Sequence, residues 1–116
     1  MSFKVIIAGG RDFIDYDKLR DVCDYYLQNK EDIEIVSGCA KGADLLGAKY
    51  AIEKGYKLKK FPADWSLGKS AGYLRNLDMG NYGDALIAFW DGQSKGTKHM
   101  IDIALEKNLN VRIIYY

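Results

Sequence analysis

The chain is poor in the residues that punctuate or staple a fold: one proline, two cysteines and one histidine among 116 residues. A single proline, Pro62, in an otherwise ordinary globular composition argues against disordered linkers. At this length the expectation is one compact domain, residues 1–116, around one hydrophobic core. Neither Cys23 nor Cys39 belongs to a CxxC pair or a Cys/His cluster, which excludes a disulfide framework and a zinc ribbon, and no metal is expected. Cys23 falls on the apolar stripe of a predicted helix, where a thiol packs as a small hydrophobe. As a nucleophile Cys39 would need a base, and the only histidine, His99, is sixty residues further on.

Charge of one sign is also lacking. Seventeen basic residues face sixteen acidic ones, so no global field draws in a polyanion, a nucleic-acid partner is not expected, and any anion recognition must be local. Long hydrophobic runs are missing too. The longest, Ala85 to Trp90, is far too short to span a bilayer, and "MSFKVIIAGG" enters a strand without a signal-peptide cleavage pattern. A cytoplasmic protein with no membrane partner is the expectation.

What is present is a regular alternation of short apolar runs and helical stripes. Lys4 to Ala8, Ile33 to Val36 and Ala85 to Trp90 read as buried parallel strands. Lys57 to Phe61 carries three lysines, as a protected edge strand would, and Val111 to Tyr115 makes a fifth strand. Helical stripes run over Tyr16, Leu19, Val22, Cys23, Tyr26 and Leu27, over Ala43, Leu46, Gly47, Tyr50 and Ala51, and over Met100, Ile103, Ala104 and Lys107. Asp15 reads as an N-cap, and Gly55 and Asn108 as helix ends. Lys69 to Met79 reads as a further helix, striped by Ala71, Leu74, Leu77 and Asp78.

The order β-α-β-α-β-α-β-α-β predicts an α/β, Rossmann-like three-layer sandwich: a five-stranded parallel sheet, order 3-2-1-4-5, with helices on both faces. Ligands bind such sheets beyond the carboxyl ends of the strands, at the switch point between strands 1 and 4. Eight of the twelve glycines lie in or just after the strand-to-helix connections on that rim, which favours close backbone approach to a ligand there.

Three loops are expected to converge at the switch point. "GGRDF" supplies Gly9, Gly10 and Arg11; "SGCAKGAD" supplies Ser37, Gly38, Cys39, Gly42, Ala43 and Asp44; "WDGQSKGTK" supplies Gly92, Ser94, Gly96 and Thr97. Glycines free the backbone to turn N–H groups toward one point, and each following helix adds its positive end, so phosphate is the natural guest. Hydroxyls of Ser37, Ser94 and Thr97 and the guanidinium groups of Arg11 and Arg75 are candidate donors. The bland alternative is capping, with Ser37 or Asp44 serving the second helix and Thr97 the fourth. Trp65 and Trp90 lie near the same rim, where either a base or the core is their partner.

Standard nucleotide signatures are missing. No G-x-G-x-x-G follows strand 1, and strand 2 ends in Ser37 rather than an acidic residue. "LGKS" at 67–70 imitates the end of a P-loop, but Ala63 stands where the first glycine is required.

Taken together, "GGRDF", "SGCAKGAD", "YLRNLDM" and "DALIAFWDGQSKGTKHMID" resemble the YspA-like branch of the SLOG superfamily over essentially the whole chain. That superfamily includes the Lonely guy phosphoribohydrolases and the Rossmann-like domain of DNA-processing protein A. The resemblance implies a nucleotide or nucleotide-derived small-molecule ligand, no required cofactor, homo-oligomers, and a sensor or regulatory role. Under it, phosphate rests on the glycine loops with Arg11 and Arg75, and Asp44 or Asp91 meets ribose hydroxyls. The hydrolases carry P-G-G-x-G-T-x-x-E, whose glutamate assists N-glycosidic cleavage. Here Gly96 and Thr97 match, but Met100 stands in the glutamate's place and cannot carry a proton. Cleavage of nucleoside monophosphates would need Asp44 or Asp91 as the catalytic group, and single-stranded nucleic-acid binding is a third reading.

Overall fold

A computed structural model describes residues 2–116. Five strands, β1 (Phe3–Gly9), β2 (Ile33–Ser37), β3 (Lys57–Lys60), β4 (Ala85–Trp90) and β5 (Asn110–Tyr115), alternate with four helices. The helices are α1 (Tyr16–Leu27), α2 (Ala43–Lys54), α3 (Ala71–Tyr82) and α4 (Lys95–Glu106), and a 3-10 segment, Trp65–Ser70, leads into α3. All strand pairs are parallel, and the order is β3-β2-β1-β4-β5. The predicted α/β Rossmann-like sandwich is the fold of the chain.

Both faces of the central strands are covered, which is why they read as unbroken apolar runs. Val5 and Ile7 of β1 pack with Ile35, Ile87 and Phe89 beneath α1 and α2, while Ile6 and Ala8 pack with Val36, Leu86 and Ala88 beneath α3 and α4. β3 shows only Leu58 as a partly buried residue among lysines. The Asp15 carboxylate caps α1 by accepting the Lys18 N–H at 3.1 Å, and Gly55 and Asn108 take the left-handed conformation that ends α2 and follows α4. No helix among the described residues is long and apolar enough to cross a membrane.

The third helix buries Ala71 of the expected stripe but turns its leucines outward. Leu74 and Leu77 are exposed, and the buried residues are Ala71, Asn76, Met79 and Gly80. α3 lies close against α4: a Cβ at Gly80 would fall 2.4 Å from Ile103 Cγ2. Small residues make that approach possible, so the leucines are left outside. Gly68, at φ +81°, breaks the helical path before α3, so Lys69 and Ser70 belong to the preceding turn.

Candidate functional site

The strand-to-helix loops after β1, β2 and β4 meet the start of α3 around a cleft of 220 Å³. Ala8, Met79 and Met100 form an apolar floor; Asp44, Asn76, Arg75 and Thr97 stand on the walls; Arg11, Trp65, Lys69 and Tyr73 surround the mouth. A second lobe of 480 Å³ adjoins the cleft, sharing Arg11, Ala40, Trp65 and Arg75 with it and lined also by Gly38, Cys39, Lys41 and Pro62.

"SGCAKGAD" is more than a plain turn: several of its amides are held inside the protein, while no described residue accepts from the Lys41 or Gly42 N–H. The Cys39 N–H donates to Ser37 Oγ at 3.1 Å, Ala43 N–H to the Gly10 carbonyl at 3.2 Å, and Leu45 N–H to the Ala40 carbonyl at 3.2 Å. The Ala40 N–H donates to Asp44 Oδ2 at 3.4 Å, so the anion this loop holds is the chain's own carboxylate. Two glycines are required for that arrangement. Gly42 sits at φ +87°, where a Cβ would meet the Gly10 carbonyl oxygen at 2.3 Å, and a Cβ on Gly38 would lie 2.7 Å from Asp44 Oδ2 and 2.8 Å from Arg75 Nη1. At these positions the close neighbour that glycine admits is another part of the protein.

Asp44 is only 5% exposed. Burial raises its pKa to about 6, despite the opposing charges of Arg75 and Arg11 and hydrogen bonds from the Ala40 and Gly9 backbone. Arg75 is fixed beside it: Nη1 donates to the Gly38 carbonyl and Nε to Asn76 Oδ1 at 3.1 Å. Its Nη2 has no acceptor among the described residues. With its Oδ1 committed to Arg75, the Asn76 amide turns its Nδ2 toward the Gly96 carbonyl at 3.4 Å and His99 Nδ1 at 3.2 Å, tying α3 to the start of α4. His99 is partly buried, which holds its pKa below the ordinary value.

The β4–α4 loop also leaves amides open, at the start of its helix. Asp91 Oδ1 accepts the Gln93 and Ser94 N–H groups, both at 2.8 Å, and these bonds lower its pKa. Ser94 caps α4 by accepting the Thr97 N–H at 3.4 Å, so the cap is Ser94 rather than Thr97. No described residue accepts from the Lys95 or Gly96 N–H at this positive helix end.

Of the residues expected at the site, Gly9, Arg11, Asp44, Arg75, Ser94, Gly96 and Thr97 line the cleft, and Gly38 and Cys39 line its second lobe. Ser37 is fully buried and donates its hydroxyl to the Asp44 carbonyl at 2.9 Å, so it builds the loop and offers no donor to a ligand. Gly10, Gly42 and Ala43 lie in the contact between the first two loops. Asp91 and Gly92 form an exposed turn outside the cleft lining. Trp90 donates its indole N–H to the Ser94 carbonyl and packs on Tyr115, whereas Trp65 stands at the mouth, 60% exposed. Lys69, Tyr73, Asn76 and Met79 join the site without having been expected there; with Gly72, the last three lie on one face of α3, and Lys69 adds to them from the preceding turn.

The model of the YspA, cpYpsA-related SLOG family matches residues 3–68, and the chain belongs to that family. Membership is consistent with binding or processing of a nucleotide-related ligand. The matched stretch carries the first two loops, while Arg75 and the start of α4 lie beyond it. No curated protein and no solved structure matches the chain.

Proposed function

We propose that this SLOG-family chain binds a phosphorylated nucleotide or nucleotide derivative in the cleft at the carboxyl ends of β1, β2 and β4, as a sensor or regulatory module. The observation that carries the reading is the pairing of two unlike groups across one cleft. The start of α4 offers the open Gly96 amide beside the Ser94 and Thr97 hydroxyls, and Arg75 offers an Nη2 without an acceptor among the described residues on a guanidinium already held at two points. Phosphate suits the first, and a donor fixed before binding loses little freedom when the ligand arrives. The buried Asp44 carboxylate accepts hydroxyl hydrogen bonds and repels a second anion, so ribose hydroxyls belong on that side. Trp65 and Tyr73 give the mouth aromatic faces for a base.

A second reading, N-glycosidic hydrolysis of nucleoside monophosphates, draws on the same Asp44: a buried carboxyl titrating at about 6 is suited to acid–base work. With Met100, 1% exposed, in the floor, Asp44 is the only acidic group lining the cleft among the described residues. A thermal-shift screen of nucleoside mono- and diphosphates tests the first reading, since a ligand at about one hundred times its Kd stabilises the fold by ~2.7 kcal/mol. Mass spectrometry of each hit after incubation separates the two readings. Intact nucleotide supports a binding module, and free base that disappears in Asp44→Asn supports the hydrolase. No stabilisation by any of these nucleotides contradicts both.

A further inference from the structure

The proposed nucleotide site does not end at one phosphoryl group. Its two lobes share Arg11, Ala40, Trp65 and Arg75 in their linings, so both arginines border the two lobes at once. Lys69 lines the inner lobe and Lys41 the outer one. Among the described residues, four cationic side chains therefore face a single carboxylate, Asp44, in a chain whose whole net charge is only +1. That local excess surpasses what one phosphate neutralises, and the cations are spread along the groove rather than gathered at the α4 end. Arg75 occupies the junction, anchored by the Gly38 carbonyl and Asn76, with Nη2 left over.

Resting on the nucleotide reading, we infer that the groove takes a diphosphate-containing ligand. One phosphoryl group lies in the inner lobe against the Gly96 amide, beside Ser94 and Thr97. The second lies past Arg75 in the outer lobe, paired with Lys41. The Asp44 carboxylate, confined to the inner lobe, keeps the doubly charged segment to the arginine side of the groove, and the walls beyond it, Pro62 and Trp65, suit an organic substituent on the outer phosphate. A monophosphate leaves the outer cations in water.

Calorimetric titrations of the full chain with inorganic phosphate and inorganic pyrophosphate at matched ionic strength, alongside AMP and ADP, test this. Pyrophosphate binds roughly tenfold or more tightly than phosphate, the worth of one added charge-assisted contact. Lys41→Ala removes that preference, while Lys30→Ala, outside the groove, preserves it. A preference that survives in Lys41→Ala overturns the inference, because pyrophosphate would then be responding to charge alone. Equal affinities for AMP and ADP also overturn it but leave the nucleotide reading standing. Failure of all four probes to bind overturns both.

Discussion

Replacing Asp44 by Asn removes a charge that the folded chain holds at a cost. The carboxyl is 5% exposed, and burial raises its pKa from 3.8 to about 6. The folded state therefore binds this proton more tightly than the unfolded state does. Stability contributed by the protonated form is lost as pH rises from about 4 through about 6, and the deficit persists above that. A gap of about two pKa units corresponds to ~3 kcal/mol. In a domain of this size a change of that order moves Tm by ~10 °C. The Asp44→Asn side chain keeps an oxygen to accept from the Ala40 N–H but sets an amide rather than an anion near Arg75, so the variant carries a pH-independent offset of its own. The informative quantity is the difference between the two proteins, measured by thermal and urea unfolding from about pH 4 to about pH 8. Asp24, Asp32 and Asp91, whose pKa values are lowered, lose their stabilisation as pH falls in both proteins and cancel in that difference. The difference should shift by ~3 kcal/mol toward the variant as pH rises. Parallel curves across the range would refute the claim that an ionised carboxylate occupies the loop at a cost.

Gly42→Ala should destabilise the domain by more than ~2 kcal/mol in urea, since both its φ of +87° and the 2.3 Å approach to the Gly10 carbonyl exclude a side chain. Leu77→Lys, on the exposed face of α3, should change stability by less than ~0.5 kcal/mol, whereas Met79→Ala, 1% exposed, should cost ~2–5 kcal/mol. Equal costs at the two positions would restore the leucine stripe to the core. Ser94→Ala should cost ~1 kcal/mol through loss of the α4 cap and weaken phosphate binding as well; an effect on stability alone would take its hydroxyl out of the site.

The sheet is legible in the sequence because its strands are covered on both sides, so Lys4 to Ala8 and Ala85 to Trp90 read as buried runs whichever residue faces which helix. The rim is legible for a related reason: its loops have to bring the backbone close at several points. What the glycines approach is not legible. Gly38 and Gly42 give the same signal whether their neighbour is a phosphate or Asp44 and the Gly10 carbonyl, because the signal records only that space is short. Asp44 itself reads as a helix-start residue, which it is, and only the fold shows that its carboxylate turns back into the loop. The leucines of α3 mislead because leucine ordinarily marks a buried face. The contact of this helix with α4 selects for small size at Gly80, and its cleft face is polar at Asn76.

The central claim is that the phosphate of a nucleoside monophosphate docks at the start of α4 rather than in the loop after β2. Backbone amide NMR during titration with AMP reads both places at once. The Lys95 and Gly96 resonances should move, with saturation, while those of Cys39 and Ala40, already hydrogen-bonded within the protein, should move far less. Shifts led by Cys39 and Ala40, or a titration that leaves Lys95 and Gly96 in place, would contradict it.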